Sequence, residues 1–507
     1  MKLTDLKLLS KDTIIYGIGR SSTQAVQILL MPLYAAYLPA DEFGVRALTM
    51  AIYGVLQIVS LWALDQAVLA DYYKVSSLKE RRKVVSTGFT LGVIMSLFWG
   101  AVSFAFASFL PQILAVFGQV PGDGIWGLEL NQAASILKLF SLYAAFTPPV
   151  MIFLSYLRSA KRPIAYSIYT LVTALLRVGL MILALVVFKR GLKGLYEVDA
   201  ILAVCTFPVL VILVYTQTKG IKFSFTTLRS MLKYALPIIP TAAFGWLRNL
   251  GDRFLINLFL TEREVGIYSY ALNFPKVINF LLIVPLGLAW APYLFSIKDR
   301  PDLPRIISRV LTYFLFAAGF ALVLLGGTSS EILRIIAKLP EYWEGAHLVP
   351  LLVLGMCVGG ACNVLGTVIA IKRKTVYFTI TTLVSAAVAV LLNVTLLPVL
   401  GLWASAIALF ASYTAMLAAT LLLTGRLITI PFEKRRILVI AVTALTLTPV
   451  LSWWHFSSPI TGLVVKTVVG TLCYAGHLLS LGFLLPEEKA VITSRLRNLI
   501  KRGRRKR

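Results

Sequence analysis

The sequence has few of the side chains that most enzymes use for chemistry. Its 507 residues include only 3 His and 4 Cys, against 49 Lys and Arg and 22 Asp and Glu. The three His have no paired carboxylates, and the Cys lie inside apolar runs without zinc-site spacing. No P-loop and no set of nucleophile, base and orienting group is visible. We therefore expect no metal, no cofactor, no ATP coupling and no enzymatic activity.

Long polar stretches are also absent. No polar segment of the sequence is long enough to fold around a core of its own, so a soluble domain is excluded. Hydrophobic residues make up 58% of the chain and the mean hydropathy is +0.84, whereas a soluble domain is closer to half apolar. Apolar runs of a length that crosses a bilayer as a helix recur along the whole sequence. The pattern predicts an all-α membrane protein.

Fourteen transmembrane helices are predicted. The first six lie near residues 12–37, 44–71, 84–110, 134–157, 164–188 and 198–218. The next six lie near 234–260, 265–297, 310–327, 346–371, 376–397 and 402–425, and a last pair near 437–456 and 462–485. The helix over 265–297 contains Pro275, Pro285 and Pro292, which predict a kinked or tilted helix.

The distribution of Lys and Arg orients these helices. With the N-terminus in the cytoplasm, the inner segments hold 35 of the 49 Lys and Arg and the outer segments hold 6. Cytoplasmic loops carry such an excess, so both termini are predicted to be cytoplasmic. The outer segment 189–197 breaks the rule with three cations. The net charge of +27 therefore reflects topology, no nucleic-acid partner is expected, and the basic tail is expected to contact anionic lipids.

The chain also contains an internal repeat. Glu42 and Gly44 open the second predicted helix, and Glu264 and Gly266 open the eighth in the same way, 222 positions later. Six helices per copy is an even number, so the copies enter the membrane from the same side and are parallel repeats. The predicted divisions are a first half (1–218), a cytoplasmic linker (219–233), a second half (234–425), an extra helix pair outside both repeats (426–485) and a cytoplasmic tail (486–507).

Two segments resemble a known family. The stretch from Asp252 reads D-R-F-L-I-N-L-F-L, then four residues, then V-G-I-Y-S-Y-A, and residues 392–408 read L-N-V-T-L-L-P-V-L-G-L-W-A-S-A-I-A. Both resemble the bacterial polysaccharide or O-antigen flippases, the polysaccharide transporter branch of the multidrug/oligosaccharidyl-lipid/polysaccharide exporter superfamily. Trp403 and Ser405 stand where that family usually has Gly and Ala.

This resemblance implies a flippase of the bacterial cytoplasmic (inner) membrane that works by alternating access. Its substrate would be a polyprenyl-pyrophosphate-linked oligosaccharide, such as an O-antigen, capsule or exopolysaccharide unit. The resemblance also implies a polysaccharide polymerase and chain-length proteins as partners. In the similar peptidoglycan-precursor flippases an added helix pair forms a groove for the lipid tail, and we hypothesise the same role for the last pair here.

Several cations fall within the predicted helices, where a charge facing lipid costs about 3 kcal/mol. We expect them to face a cavity or a partner, and Arg in particular matches the geometry of phosphate. The candidate cationic, substrate-binding residues are Arg20, Arg177, Arg248, Arg253 and Lys276. The candidate polar lining residues of the same cavity are Gln24, Gln27 and Asn273.

Ion pairing is the alternative explanation for these cations. Arg248 could pair with Asp252 one turn on, and Asp65 could pair with a neighbouring Arg. Asp65 and Asp252 are also the candidates for ion coupling. Arg46, near the predicted outer interface, is expected to extend its charge toward water.

Two other functions compete with the flippase. A multidrug or metabolite antiporter of the related extrusion family would couple to cations through buried carboxylates, which are few in this sequence. A membrane enzyme, such as a sugar polymerase or ligase, would carry a large outer loop. The longest outer segment here, residues 111–133, shows no catalytic set.

Overall fold

The protein is described by a computed structural model that covers residues 26, 28–116, 126–372, 374 and 376–483. Twenty α-helices run through these residues. In the first half they are α1 (Ile28–Tyr37), α2 (Ala40–Leu61), α3 (Leu64–Lys74), α4 (Leu78–Val116), α5 (Leu130–Phe146), α6 (Pro149–Ser159), α7 (Pro163–Ile182) and α8 (Gly191–Thr218). Then follow α9 (Phe225–Ala235), α10 (Ile239–Phe259), α11 (Glu262–Ala271), α12 (Asn273–Ile278), α13 (Val284–Ser296), α14 (Leu303–Gly327) and α15 (Ser329–Ile336). The last five are α16 (Val349–Ile371), α17 (Val376–Leu400), α18 (Leu402–Gly425), α19 (Lys434–Trp453) and α20 (Pro459–Ser480).

The all-α multi-pass membrane fold is confirmed. Among the described residues, 12 helical segments are long and apolar enough to cross a membrane, and each falls on a predicted span. The seventh predicted span is also helical, as α10, but its three charged residues keep it out of that group. The first predicted span is described only as the short helix α1. The count of fourteen therefore stays a prediction.

The segment 189–197 was expected to be an outer loop, and that boundary is wrong. Helix α8 begins at Gly191 and runs for 28 residues, so most of the expected loop is its first turns. The charged residues there lie on the exposed side, where Arg190 forms a two-pronged ion pair with Glu197 at 2.8 and 3.1 Å. The Leu192 N–H in the first turn donates to the Glu42 carboxylate at 2.9 Å. This longer helix places Asp199 inside the bundle.

Two predicted spans are broken within the bundle. Between α2 and α3, Trp62 and Ala63 both adopt left-handed backbone conformations, with φ of 45° and 54°. This left-handed conformation is energetically costly for residues other than Gly, and it interrupts the helix. The proline-rich span is divided into α11, α12 and α13, with a π-helical turn over residues 279–283 before Pro285. Pro285 lacks the N–H that would continue the regular hydrogen-bond pattern, which accounts for the π-helical turn, and the predicted kink or tilt stays a prediction.

The two halves meet most extensively at one end of the bundle, where α2 crosses α11, and further along α2 the Trp246 indole of α10 donates to the Ala51 carbonyl at 2.8 Å. Residues 31–44 of the first half meet residues 262–270 and 339–342 of the second half, and we call this the interhalf contact. Tyr342 donates from its hydroxyl to the Leu38 carbonyl at 2.9 Å, and the Ala40 N–H donates to Glu341 at 2.7 Å. The charge distribution predicts this end to be the outer one. The protein is thus closed there.

The last two helices pack on the second half. Helices α19 and α20 lie against α14, and α20 also contacts α15. Lys466 of α20 has no exposed side-chain surface and pairs with the buried Glu331 of α15 at 2.7 Å. The Tyr474 hydroxyl donates to the Phe316 carbonyl at 2.8 Å. This packing agrees with an added pair, although a repeat relation between the halves stays a prediction.

The second motif segment folds into α17, a turn at Gly401 and the start of α18. Asn393 is buried, and its side-chain oxygen accepts a hydrogen bond of 2.6 Å from the buried Ser405 hydroxyl. The Asn393 amide donates to the Ala389 carbonyl at 2.8 Å. Ser405, which departs from the family pattern, therefore adds a hydrogen bond within a close helix pair. Trp403 is about half exposed on the outer surface of α18.

Candidate substrate site

A buried group of charges joins three helices of the first half. Arg46 of α2 and Arg177 of α7 both pair with Asp199 of α8, and the Arg177 distance is 2.9 Å. The Asp199 side chain is only 2% exposed and that of Arg46 is 9% exposed, whereas Arg177 keeps 30% of its side chain accessible. Two cations therefore share one carboxylate. The more accessible of the two is Arg177.

Aromatic side chains and hydroxyls surround this group. The Arg46 guanidinium lies over the Tyr196 ring at 4.9 Å, and Tyr196 shares a hydrogen bond with Thr49. Tyr53 and Tyr143 pack with ring centroids 4.8 Å apart. Within the described residues the buried Arg177 Nε and the buried Arg46 Nη1 have no hydrogen-bond partner. The group thus leaves part of both guanidinium forks unused, and Arg177 is the more accessible of the two.

The expectation that Arg46 extends to the interface is wrong. Arg46 is only 7% exposed, because Asp199 and Tyr196 on α8 give it a buried partner and an aromatic face. The sequence also left open whether the counter-charge of Arg177 comes from another helix or from a ligand. Among the protein groups it is Asp199. The sequence did not single out Asp199, because this residue lies at the very start of the sixth predicted helix, beside the segment that is predicted to be a loop.

A second charged group lies on α10 in the second half. Asp252 pairs with its neighbour Arg253 at 2.5 Å and accepts a hydrogen bond of 2.8 Å from the buried Tyr268 hydroxyl. Both charged side chains are less than 9% exposed. Arg253 also donates to the Asn249 carbonyl. The predicted pairing of Asp252 with Arg248 does not form, because Arg253 and Tyr268 occupy the carboxylate.

Lys276 extends from α12 close to this group. Its ammonium donates to the Asn273 side chain at 2.9 Å, and the buried Asn273 amide donates to the Tyr270 carbonyl at 3.0 Å. Lys276 itself is exposed, although Asn273 is not. Among the described residues no carboxylate lies within ion-pair distance of Lys276. Its charge is therefore available at an accessible surface.

Arg248 points from α10 toward α18. Its guanidinium lies over the Tyr413 ring at 5.0 Å and contacts the Met416 sulfur at 3.0 Å. In the described part of the chain it pairs with no carboxylate. Met416 in turn lines a cavity of about 240 Å³. Arg248 is thus a cation held by aromatic and sulfur groups at the edge of a cavity.

That cavity adjoins a larger one of about 380 Å³ inside the second half. Asn363 and Thr367 of α16 line both. The larger cavity is also lined by Asn279, Trp290 and Phe314. A few polar groups in a mostly apolar wall are typical of ligand pockets. Sequence reasoning missed Asn363 and Thr367, because uncharged polar residues in an apolar helix give a weak signal.

The remaining predicted site residues are placed as follows. Asp65 is half-buried in the first turn of α3, and no cation of the described residues lies within ion-pair distance. Arg20, Gln24 and Gln27 lie outside the described residues. Arg177 contacts Asp199 of the first half and Arg248 contacts Tyr413 and Met416 of the second, so one cavity shared by both stays a prediction. Across the same residues, no group of three His, Cys, Asp or Glu is placed to hold a metal ion.

The fold is similar to that of several solved membrane transporters. The lipid II flippase MurJ, in an inward closed conformation, matches 92% of this chain and 98% of its own with a TM-score of 0.70 at 15% identity. An inward-facing multidrug resistance MATE family transporter of the MOP superfamily matches 83% of this chain and 96% of its own with a TM-score of 0.58 at 11% identity. The eukaryotic MATE transporter AtDTX14 matches 87% of this chain and 99% of its own with a TM-score of 0.53 at 11% identity.

These low identities show the shared fold alone. No curated protein matches the chain at a significant level. A family comparison is more specific, because the sequence profile described as "Polysaccharide biosynthesis protein" matches residues 9–298. That range is more than half of the chain and includes the first half, the linker and helices α9 to α13. The chain therefore belongs to the polysaccharide biosynthesis protein family.

Proposed function

We propose that this protein is a flippase that moves a polyprenyl-pyrophosphate-linked oligosaccharide across the bacterial cytoplasmic membrane. Membership of the polysaccharide biosynthesis family supports a glycan substrate, and the fold shared with a lipid II flippase supports lipid transport. The observation that carries the proposal is the excess of cations in the two charged groups and beside them. Two carboxylates (Asp199 and Asp252) pair with three cations (Arg46, Arg177 and Arg253), and two further cations (Arg248 on α10 and Lys276 on α12) have no carboxylate partner among the described residues.

An excess of positive charge in a membrane is costly unless an anion compensates it. A pyrophosphate head group supplies such an anion, with several oxygens that match the planar fork of Arg. Arg177 is the best candidate in the first half, because Arg46 alone neutralises Asp199 when Arg177 turns to a ligand. Its accessible surface and its unused Nε suit this role.

Arg248 and Lys276 are the corresponding candidates in the second half. Arg248 is held in place by Tyr413 and Met416 without a competing carboxylate. Lys276 is exposed and bonded only to a neutral amide. Arg253 is a weaker candidate, since Asp252 already neutralises it. Sugar hydroxyls would find polar partners in Asn363 and Thr367 on the walls of the neighbouring cavities.

The mechanism that fits this arrangement is alternating access between the two halves. The interhalf contact closes the predicted outer end, so the head group would enter the cationic region from the cytoplasmic side while the lipid tail stays in the bilayer. Opening that contact would release the head group outside. Binding energy from the phosphates would favour the state in which cations of both halves face the same ligand.

An antiporter is the second candidate, and Asp65 is the observation that favours it. This carboxylate is half-buried beside the break between α2 and α3, and no cation of the described residues pairs with it. Such a group could bind a coupling cation. The same group would also serve a flippase driven by an ion gradient, so Asp65 alone does not decide between the two.

A transport assay with the purified protein in lipid vesicles distinguishes the flippase from the antiporter. Purified protein in proteoliposomes is supplied with a fluorescent polyprenyl-pyrophosphate glycan on one side, and its appearance on the other side is measured. We expect transport by the native chain, a loss of about tenfold or more in Arg177→Gln and in Arg248→Gln, and normal transport in Arg426→Gln, an exposed loop control. Transport of cationic drugs without movement of the glycan lipid would contradict the proposal.

A further inference from the structure

A separate basic pocket lies at the end of the first half that the charge distribution predicts to be cytoplasmic. It has a volume of about 130 Å³, several times the roughly 30 Å³ share of a water molecule in the liquid. Its walls are formed by Tyr72, Arg81, Arg82, Tyr156, Arg162 and Gln217. These residues come from the α3 end, the start of α4, the α6–α7 turn and the end of α8. We call it the arginine pocket.

Three guanidinium groups line the arginine pocket, and no carboxylate does. Arg81 is fixed by a hydrogen bond of 3.0 Å from its Nε to the Val75 carbonyl and by the Tyr72 ring at 5.1 Å. Arg162 donates to the Gln217 side chain at 2.7 Å. The acids next to lining residues in the sequence are Glu80, which is exposed, and Asp71, which pairs with Lys74 at 2.6 Å, and neither is part of the lining.

Arg82 differs from the other two arginines of the set. Among the described residues it has no hydrogen-bond or ion-pair partner, although it is half-buried. Tyr72 and Tyr156 form a rigid aromatic wall beside it, each 8% exposed and with ring centroids 6.4 Å apart. Two Arg held in place and a third with its donors free make a preorganised anion site.

The positive-inside rule does not account for this arrangement. The rule concerns how many cations a cytoplasmic loop carries, and scattered exposed Lys and Arg satisfy it. Here cations from separate connections converge around one cavity and bring their like charges together. That convergence costs energy unless an anion occupies the pocket. The mouth also carries the apolar Leu78, which is 59% exposed and suits contact with the bilayer surface.

We propose that the arginine pocket binds a phosphate group, carried either by an anionic phospholipid of the inner leaflet or by a soluble phosphate. Arg82 supplies the free donors, and Arg81 and Arg162 complete the charge. The pocket lies apart from the charged groups of α7 and α10, so this proposal is independent of the transported substrate. Its occupation would fix the α3–α4 and α6–α7 connections to the end of α8.

The test uses the purified full-length chain in detergent. Native mass spectrometry measures the binding of dioleoylphosphatidylglycerol, and dioleoylphosphatidylcholine, which has no net charge, is the comparison lipid. In a second assay, the thermal unfolding temperature is measured as inorganic phosphate is added. We expect Arg82→Gln to weaken anion binding about tenfold. Lys79→Gln is the matched control, because Lys79 is exposed on the same helix and does not line the pocket. It should change binding by less than about twofold.

The results separate the two sources of phosphate. A loss for phosphatidylglycerol, with no effect of inorganic phosphate, assigns the pocket to a lipid head group. Stabilisation by inorganic phosphate that disappears in Arg82→Gln assigns it to a soluble phosphate. Equal losses in Arg82→Gln and Lys79→Gln, or no binding in either assay, overturn the proposal. If Arg82→Gln does not fold, Arg82→Lys keeps the charge, removes the fork and takes its place in the same comparison.

Discussion

Gly44 and Gly266 lie against each other where α2 crosses α11, since a β-carbon on either glycine would lie 3.1 Å from the backbone nitrogen of the other. A β-carbon on Gly44 would lie 1.8 Å from the Glu262 carbonyl oxygen, and one on Gly266 would lie 1.7 Å from the Ala40 carbonyl oxygen. The two glycines and the two carbonyls are each separated by 222 positions. The two helices therefore contribute equivalent residues to the crossing, and these residues are separated by the same 222 positions that relate the two halves in the sequence.

We predict that Gly44→Ala or Gly266→Ala opens the interhalf contact. The added methyl group cannot fit beside a backbone carbonyl, and overpacking of this kind typically costs about 1–3 kcal/mol. A Phe43→Cys reporter in a chain without its native Cys should then react faster with an impermeant maleimide. Gly179→Ala is the control, since nothing lies within 4 Å of its β-carbon position. Unchanged labelling in both Gly44→Ala and Gly266→Ala would contradict the role of this helix crossing in closing the interhalf contact.

Tyr342 gives a milder test of the same contact. Burial raises the pKa of the Tyr342 hydroxyl above its ordinary value, so the group stays protonated and donates to the Leu38 carbonyl across the pH range of cells. In the Phe43→Cys reporter chain, which already lacks the Phe43 ring, Tyr342→Phe keeps the ring contact with Tyr270. The substitution should weaken the closed state by about 1 kcal/mol, which would be seen as moderately faster labelling of the same reporter. In the reporter chain that keeps Tyr342, ionisation of this tyrosine should not open the contact at any pH up to about 9.

Arg177 and Asp199 should differ in what their replacement costs. Asp199→Asn leaves two cations without a carboxylate, and breaking a buried pair costs about 3–5 kcal/mol, so the melting temperature should fall strongly. Arg177→Gln leaves the Arg46–Asp199 pair intact, so folding should persist while transport is lost. Arg177→Lys keeps the charge and should retain more transport than Arg177→Gln. Full transport by both Arg177 variants, with normal insertion, would exclude Arg177 from the substrate site.

The Lys466–Glu331 pair should hold the last helix pair in place. Lys466→Met leaves Glu331 charged and without a partner, and we expect a loss of about 3–5 kcal/mol in the free energy of unfolding. Adding Glu331→Gln should restore most of that stability. Lys434→Met, an exposed control at the start of α19, should have little effect. Thermal unfolding in detergent measures all four proteins, and equal stability of the single and double variants would refute a stabilising pair.

The charge distribution also predicts orientation. In a chain without native Cys, Arg426→Cys should react with an impermeant maleimide only after the cells are permeabilised. Glu344→Cys, on the opposite end beside the interhalf contact, should react in intact cells. The reverse pattern would invert the topology and with it the direction assigned to the closed end.

Much of the fold follows from the sequence, because apolar length and turn residues are local properties. The hairpins at Glu42 and Glu264 and the proline break before Pro285 are of this kind. The charged groups are not local. Asp199 lies 153 positions from Arg46, and Lys466 and Glu331 lie on different helices, so only packing reveals that they neutralise each other. The i, i+4 spacing of Arg248 and Asp252 suggested a pair that the neighbouring Arg253 and Tyr268 prevent.

The packing of α19 and α20 on α14 and α15 has a consequence for measuring transport. A buried ion pair and the Tyr474 hydrogen bond fasten these helices to the second half, so they should tilt with it as one body. The outward side of α20 therefore follows the angle of that half relative to the membrane plane. A spin label or dye at Leu472, which is 66% exposed, would report the orientation of the second half. Its changes in orientation would give the time of each transport cycle, and the label would lie outside the substrate path.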